Sequence, residues 1–121
     1  MSEASFLSTV VTAKNVVSPS ALASRLKITK MELAAAAGLP RDSVSKRARV
    51  EGRKTQARLL DVIEIINRVA PWAGSELAAF AWYRSQPLPS FGDKTAEELV
   101  GEGRAGAVKS YLNRIAEGGY A

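Results

Sequence analysis

The stretch Thr29-Lys30-Met31-Glu32-Leu33-Ala34-Ala35-Ala36-Ala37-Gly38-Leu39-Pro40-Arg41-Asp42-Ser43-Val44-Ser45 decides the fold. It opens with a capping box: the Thr29 hydroxyl can accept from the Glu32 N–H, and the Glu32 carboxylate can accept from the Thr29 N–H. An alanine-rich helix follows from Leu33 to Ala37. Gly38 takes the left-handed position that stops a helix. Pro40 opens a second helix, with Val44 and Ala48 four apart on one face. Two short helices joined by a tight glycine turn make a helix-turn-helix pattern. In this reading Ala34 is small because the second helix crosses close to it, and Leu33, Leu39 and Val44 lock the pair together.

Outward from this hairpin, every periodic segment is helical. Ser18-Pro19 reads as an N-cap followed by proline at the first helical position, opening a helix with Ala21, Leu22 and Leu26. Before it, Phe6, Val10 and Val11 are candidates for a short docked arm. After it, Leu59, Leu60, Val62, Ile63, Ile66 and Val69 stripe a helix expected over 55–70, with Pro71 as its end. Ser75 caps a helix bearing Leu77, Phe80 and Trp82, and Trp72 and Trp82 are both expected in the core. Residues 87–93 read as a stiff, non-helical connector. Thr95 and Glu98 form a second capping box, opening a short helix with Leu99 and Val100. Val108, Tyr111, Leu112 and Ile115 stripe a last helix that Gly118-Gly119 stops. No period-two alternation points to a strand. The expectation is an all-α chain: an N-terminal helix-turn-helix bundle over residues 1–70, then a small helical domain over residues 71–121 with a protruding tail.

Composition narrows the chemistry. The 121 residues contain no cysteine and no histidine. Disulfide scaffolds, Cys nucleophiles, zinc fingers and Ser-His-Asp triads are therefore excluded. Charge is unevenly spread: residues 1–60 carry a net +7 and residues 61–121 a net −2. A basic half of this kind is the electrostatic footprint of a polyanion partner. No apolar run approaches the roughly 20 residues a membrane span needs, and Met1-Ser2-Glu3 opens no signal-peptide pattern. A cytoplasmic protein without membrane association is expected.

If the second hairpin helix lies in a major groove, residues 40–49 present Arg41, Asp42, Ser45, Lys46 and Arg49. Arg41 and Arg49 suit bidentate bonds to guanine, and Lys46 suits guanine or phosphate. Ser43 can hydrogen-bond a phosphate, while Arg47, Arg53 and Lys54 read as backbone neutralisers. Seven basic residues fall within 41–58. Arg47 stands where many recognition helices carry a further apolar anchor, a role that Ala48 can take instead.

The second half carries a family resemblance. Its residues are Ala81-Trp82-Tyr83-Arg84-Ser85-Gln86-Pro87-Leu88-Pro89-Ser90-Phe91-Gly92-Asp93-Lys94-Thr95-Ala96-Glu97-Glu98-Leu99-Val100, then Ala107-Val108, then Tyr111-Leu112-Asn113-Arg114-Ile115-Ala116-Glu117-Gly118-Gly119-Tyr120-Ala121. A tryptophan, a proline-bearing loop, a glycine before a capping Thr, an acidic-Leu pair, a Val-x-x-x-Leu helix and a terminal Gly-x-aromatic-Ala together resemble the toxin-binding domain of Xre/MbcA/ParS-type antitoxins. Ala96 departs from the proline that many members carry there. The resemblance implies a type II antitoxin paired with a RES-domain toxin, typically an NAD⁺-consuming enzyme. It implies that the C-terminal end blocks the toxin's active-site cleft and that the complex represses its own promoter. Tyr120 and Ala121 would be the inserted tail, Gly118 and Gly119 its exit from the helix, and Lys109, Tyr111, Arg114 and Glu117 the surrounding contacts.

No enzymatic activity, metal or cofactor is expected. Glu97 and Glu98 sit in a helix's first turn, where acids complement the dipole. Asp61 and Glu64 lie on the polar side of an amphipathic helix. The glycines at 101, 103 and 106 follow no strand, so they make no phosphate-cradling loop. The expected partners are the cognate toxin and operator DNA, in a homodimer or larger hetero-oligomer with the toxin. Two alternatives share the same residues: a stand-alone helix-turn-helix regulator with a C-terminal dimerisation domain, and an adaptor whose basic face meets an acidic protein.

Overall fold

The computed structural model describes residues 6, 9–12 and 15–118, with only the backbone of residues 47 and 48. The chain is all-α. The helices are α1 (Pro19–Leu26), α2 (Lys30–Ala37), α3 (Arg47–Val50), α4 (Arg53–Ala73), α5 (Glu76–Ser85), α6 (Ala96–Gly101) and α7 (Ala105–Ala116), with 3-10 turns at Arg41–Val44 and Pro89–Phe91. Among the described residues, extended pairing is limited to two isolated bridges, Val11 with Val17 and Leu88 with Lys94.

The start signals operate as expected. Ser18, Thr29, Ser75 and Thr95 each accept from a first-turn N–H, and both capping boxes close. Gly38 is left-handed at φ +66°, and Gly118 follows α7 at φ +90°. The 21-residue α4 is the central element, and its most extensive packing is against α5. Leu59, Val62, Ile63, Ile65, Ile66 and Val69 form its buried stripe. One core unites these with Phe6, Val10 and Leu22 from the N-terminal side, Leu33 and Val44 from the hairpin, and Leu99, Val108 and Leu112 from the C-terminal side.

Four expectations are corrected. The second hairpin helix is not continuous: Arg41–Val44 is a 3-10 turn and Arg47–Val50 a separate short helix. Asp42, Ser43, Val44 and Ser45 are all weak helix formers. The Asp42 carbonyl accepts from both the Ser45 and Lys46 N–H groups, which tightens the chain instead of propagating it. Pro71 does not end α4, which runs to Ala73. It sits in the last turn, where the lost N–H costs one bond and little helix remains to disrupt; Gly74 at φ +102° is the stop. Trp72 is not a core residue but is 51% exposed, whereas Trp82 packs against the core, partly buried. The connector 87–93 contains one 3-10 turn, because Pro89 takes the first helical position, where its missing N–H is not needed.

Candidate functional site

The residues singled out for binding fall on two surfaces. The first is the basic face of the hairpin. Arg41, Asp42, Ser45, Lys46, Arg49, Arg53 and Lys54 are all exposed. The break after Val44 puts Arg41 and Arg49 on different elements, not on one helix face. Ser43 is buried, 8% exposed, beside Val44. The Arg41 guanidinium donates to Met31 Sδ at 3.3 Å. Among the described side chains, no ion pair engages any cation between 41 and 58. The charge of that face therefore has no counter-ion among the described side chains.

Arg58 does structural work instead. An α-helix leaves its last four carbonyls without helical partners. In α2 the Leu39 N–H donates to Ala34 O at 2.8 Å and the Gly38 N–H to Ala35 O at 3.1 Å. The buried Tyr83 hydroxyl donates to Ala36 O at 2.6 Å, and Arg58 Nη1 donates to Ala37 O at 3.0 Å. Burial pushes the Tyr83 phenol far above its ordinary value, with the Glu97 and Asp61 charges adding to it, so it stays a donor. Gln56 does similar duty before the hairpin and after it. Its amide accepts from the Val17 N–H at 2.8 Å and donates to Val17 O at 3.1 Å and Val50 O at 2.8 Å. Sequence reading missed Gln56 and Tyr83, because their partners lie on other elements.

The second surface lies on α7. Lys109 is not free: its ammonium donates to Asp61 Oδ1 at 2.7 Å and Glu64 Oε1 at 3.2 Å, both on α4. Burial alone would lower its pKa, but the bonds and charges of Asp61 and Glu64 outweigh that and hold it above the ordinary lysine value. Tyr111 is buried and meets Phe91 edge-on at 5.9 Å. Arg114 is exposed, its guanidinium 5.9 Å from the Tyr111 ring centre. Glu117 and Gly118 are exposed at the end of the helix. Gly119, Tyr120 and Ala121 lie outside the described residues.

Beside this surface runs a groove of about 900 Å³, between the end of α4, the turn into α5 and the end of α7. Arg68, Pro71, Trp72, Leu112, Asn113 and Ala116 are among its lining residues. Arg25 reaches it from α1 and is clamped by Glu76, Nε to Oε1 at 2.8 Å and Nη2 to Oε2 at 3.1 Å.

Residues 68–118 match the family model of the antitoxin Xre/MbcA/ParS C-terminal toxin-binding domain. This match bears out the resemblance to the Xre/MbcA/ParS-type antitoxins and supports an antitoxin role in a toxin–antitoxin system. No curated protein and no solved structure matches the chain. Among the described residues, no helix is long and apolar enough to cross a membrane.

Proposed function

We propose that the protein is the antitoxin of a type II system, neutralising a RES-domain toxin and binding its own operator to repress transcription. The observation that carries the reading is the match of residues 68–118 to the toxin-binding domain. Residues 71–121 form the toxin-binding region. Tyr120 and Ala121 are the tail inserted in the toxin's cleft, Gly118 and Gly119 let the chain leave α7, and Arg114 and Glu117 are contacts beside it. The left-handed Gly118 supports this reading, since a glycine in that conformation after α7 is a helix stop. Aromatic anchors such as Tyr120 carry a large share of interface energy. The test is co-expression with the neighbouring toxin gene. The full chain should restore growth, and a variant lacking residues 118–121 should fold but fail to neutralise. Full neutralisation by the truncated chain would discard the tail-plug mechanism.

Residues 1–70 form the DNA-binding region. The support is the basic face of the hairpin, whose described cations are in no ion pair. Because Arg41 and Arg49 sit on separate short elements, they contact DNA as two points and not as one helix edge. Their joint replacement by alanine should erase preference for the operator over random duplex. Lys54→Ala should instead weaken both duplexes alike and flatten the salt dependence by about one phosphate contact. Gel-shift titration at several salt concentrations reads both. Operator preference that survives the double substitution removes these two arginines from base reading.

A further inference from the structure

The groove at the end of α4 has features that the tail-plug reading leaves unused. Trp72 is 51% exposed, and Pro71, Leu112 and Ala116 extend the apolar floor beside it. An exposed tryptophan in a concave apolar setting is the composition of an interface hot spot. Its cations differ in their partners. Arg25 is neutralised by its two bonds to Glu76. The Arg68 guanidinium bonds the Asn113 side-chain oxygen, a neutral acceptor, and among the described residues no carboxylate pairs with it. The groove therefore combines an apolar platform with one uncompensated positive charge. Most of its lining falls within residues 68–118, the segment matched to the toxin-binding domain.

We infer that this groove is a second docking site for the toxin, separate from the tail. Its occupant is a toxin segment that lays an aliphatic or aromatic side chain on Trp72 and a carboxylate on Arg68. Arg68 and Trp72 are four residues apart on one helix face, so the two groups they receive sit roughly 6 Å apart. An extended strand with an apolar residue and an Asp or Glu at positions i and i+2 meets that spacing, because such a pair spans about 6.6 Å on one face. Binding here together with the tail makes the contact bivalent, so each half raises the effective concentration of the other. The inference rests on the antitoxin reading for the identity of the partner.

The test uses the full chain and the cognate toxin from the adjacent reading frame, with affinity measured by calorimetry. Trp72→Ala and Arg68→Glu should each weaken toxin binding at least tenfold, and Arg68→Lys should recover most of the loss. The Arg68→Glu loss should shrink at high salt, as a charge contact requires. Leu60→Ser, an exposed apolar position on α4 away from the groove, should bind as the parent does. All these side chains are partly exposed, so thermal melts should stay close to the parent; a variant that melts early is replaced by Trp72→Phe, whose smaller ring should still cost affinity. Unchanged affinity for both Trp72→Ala and Arg68→Glu overturns the inference. Trp72→Ala converting an oligomer to a monomer without loss of toxin affinity also overturns it, and assigns the groove to a second copy of the chain. If the parent itself does not bind the toxin, the antitoxin reading fails, and the groove assignment fails with it.

Discussion

Gly38 is required for two independent reasons. Its φ of +66° is a conformation that side-chain-bearing residues adopt at a cost. A Cβ there would also stand 2.6 Å from the Gly101 Cα and 2.7 Å from Arg58 Nη1. The guanidinium can move, but the backbone of α6 cannot do so cheaply. Gly38→Ala should therefore destabilise the protein by about 2–4 kcal/mol, more than a left-handed alanine alone explains. The reciprocal change is different: a Cβ on Gly101 would meet the Gly38 Cα at an ordinary 4.0 Å. Gly101→Ala should be neutral or slightly stabilising, since alanine is the better helix former. Urea unfolding of the two variants checks the pair, and equal costs would mean that the contact relaxes. The turn at Gly38 is legible in the sequence, because a glycine after an alanine-rich helix is a local signal. Its contact with Gly101 is not, because nothing local links positions 63 residues apart.

At the scale of elements, α2 shows how an eight-residue helix with weak amphipathicity is held. Its capping box closes the start, and its end is closed by Tyr83 from α5 and Arg58 from α4. Tyr83→Phe removes one donor from a buried carbonyl and should cost about 1–3 kcal/mol. A thermal or denaturant melt gives the value, and a loss below about 0.5 kcal/mol would mean that water replaces the hydroxyl. The capping boxes, the Ser-Pro start and the amphipathic stripe of α4, apart from the exposed Leu60, were legible, because each depends on residues within a turn or two. The second hairpin element was misread because Val44 and Ala48 fit a helical period. The period was right for burial of Val44, but the weak helix formers at 42–45 divided the segment. Pro71 and Trp72 were misread for a related reason: a proline rule and a hydrophobicity rule each lost to position, one in the last turn of a helix and the other on an open groove.

Across the whole molecule, Lys109 joins α7 to α4 through Asp61 and Glu64. Its pKa is raised in the folded state above the ordinary 10.5. A cation raised in this way stabilises the fold fully below its unfolded value and loses that contribution as pH rises through the folded value. Tyr83, also raised, acts in the same direction, because its unfolded phenol ionises first. Stability should thus hold through neutral pH and fall above about pH 10. Thermal melts of Lys109→Met across that range should show a deficit at neutral pH that narrows as the parent loses its ammonium. A deficit constant from pH 8 to pH 11.5 would show that the lysine acts by packing alone.

The sequence by itself determined what short-range physics controls: an all-α chain, where most helices start and stop, the buried stripe of α4, the glycine turn, the excluded chemistries and the uneven charge. It also carried the resemblance of the C-terminal segment. Only the tertiary structure decided which charges are available. Lys109 and Arg58, both basic in composition, are consumed by carboxylates and by helix-end carbonyls, while Arg41, Arg49 and Arg68 are left without a carboxylate among the described residues. It also decided that Trp72 faces a groove and Tyr83 the core. The physical reason is that a helical period reports which residues share a face, whereas pairing and exposure depend on what the rest of the chain places against that face.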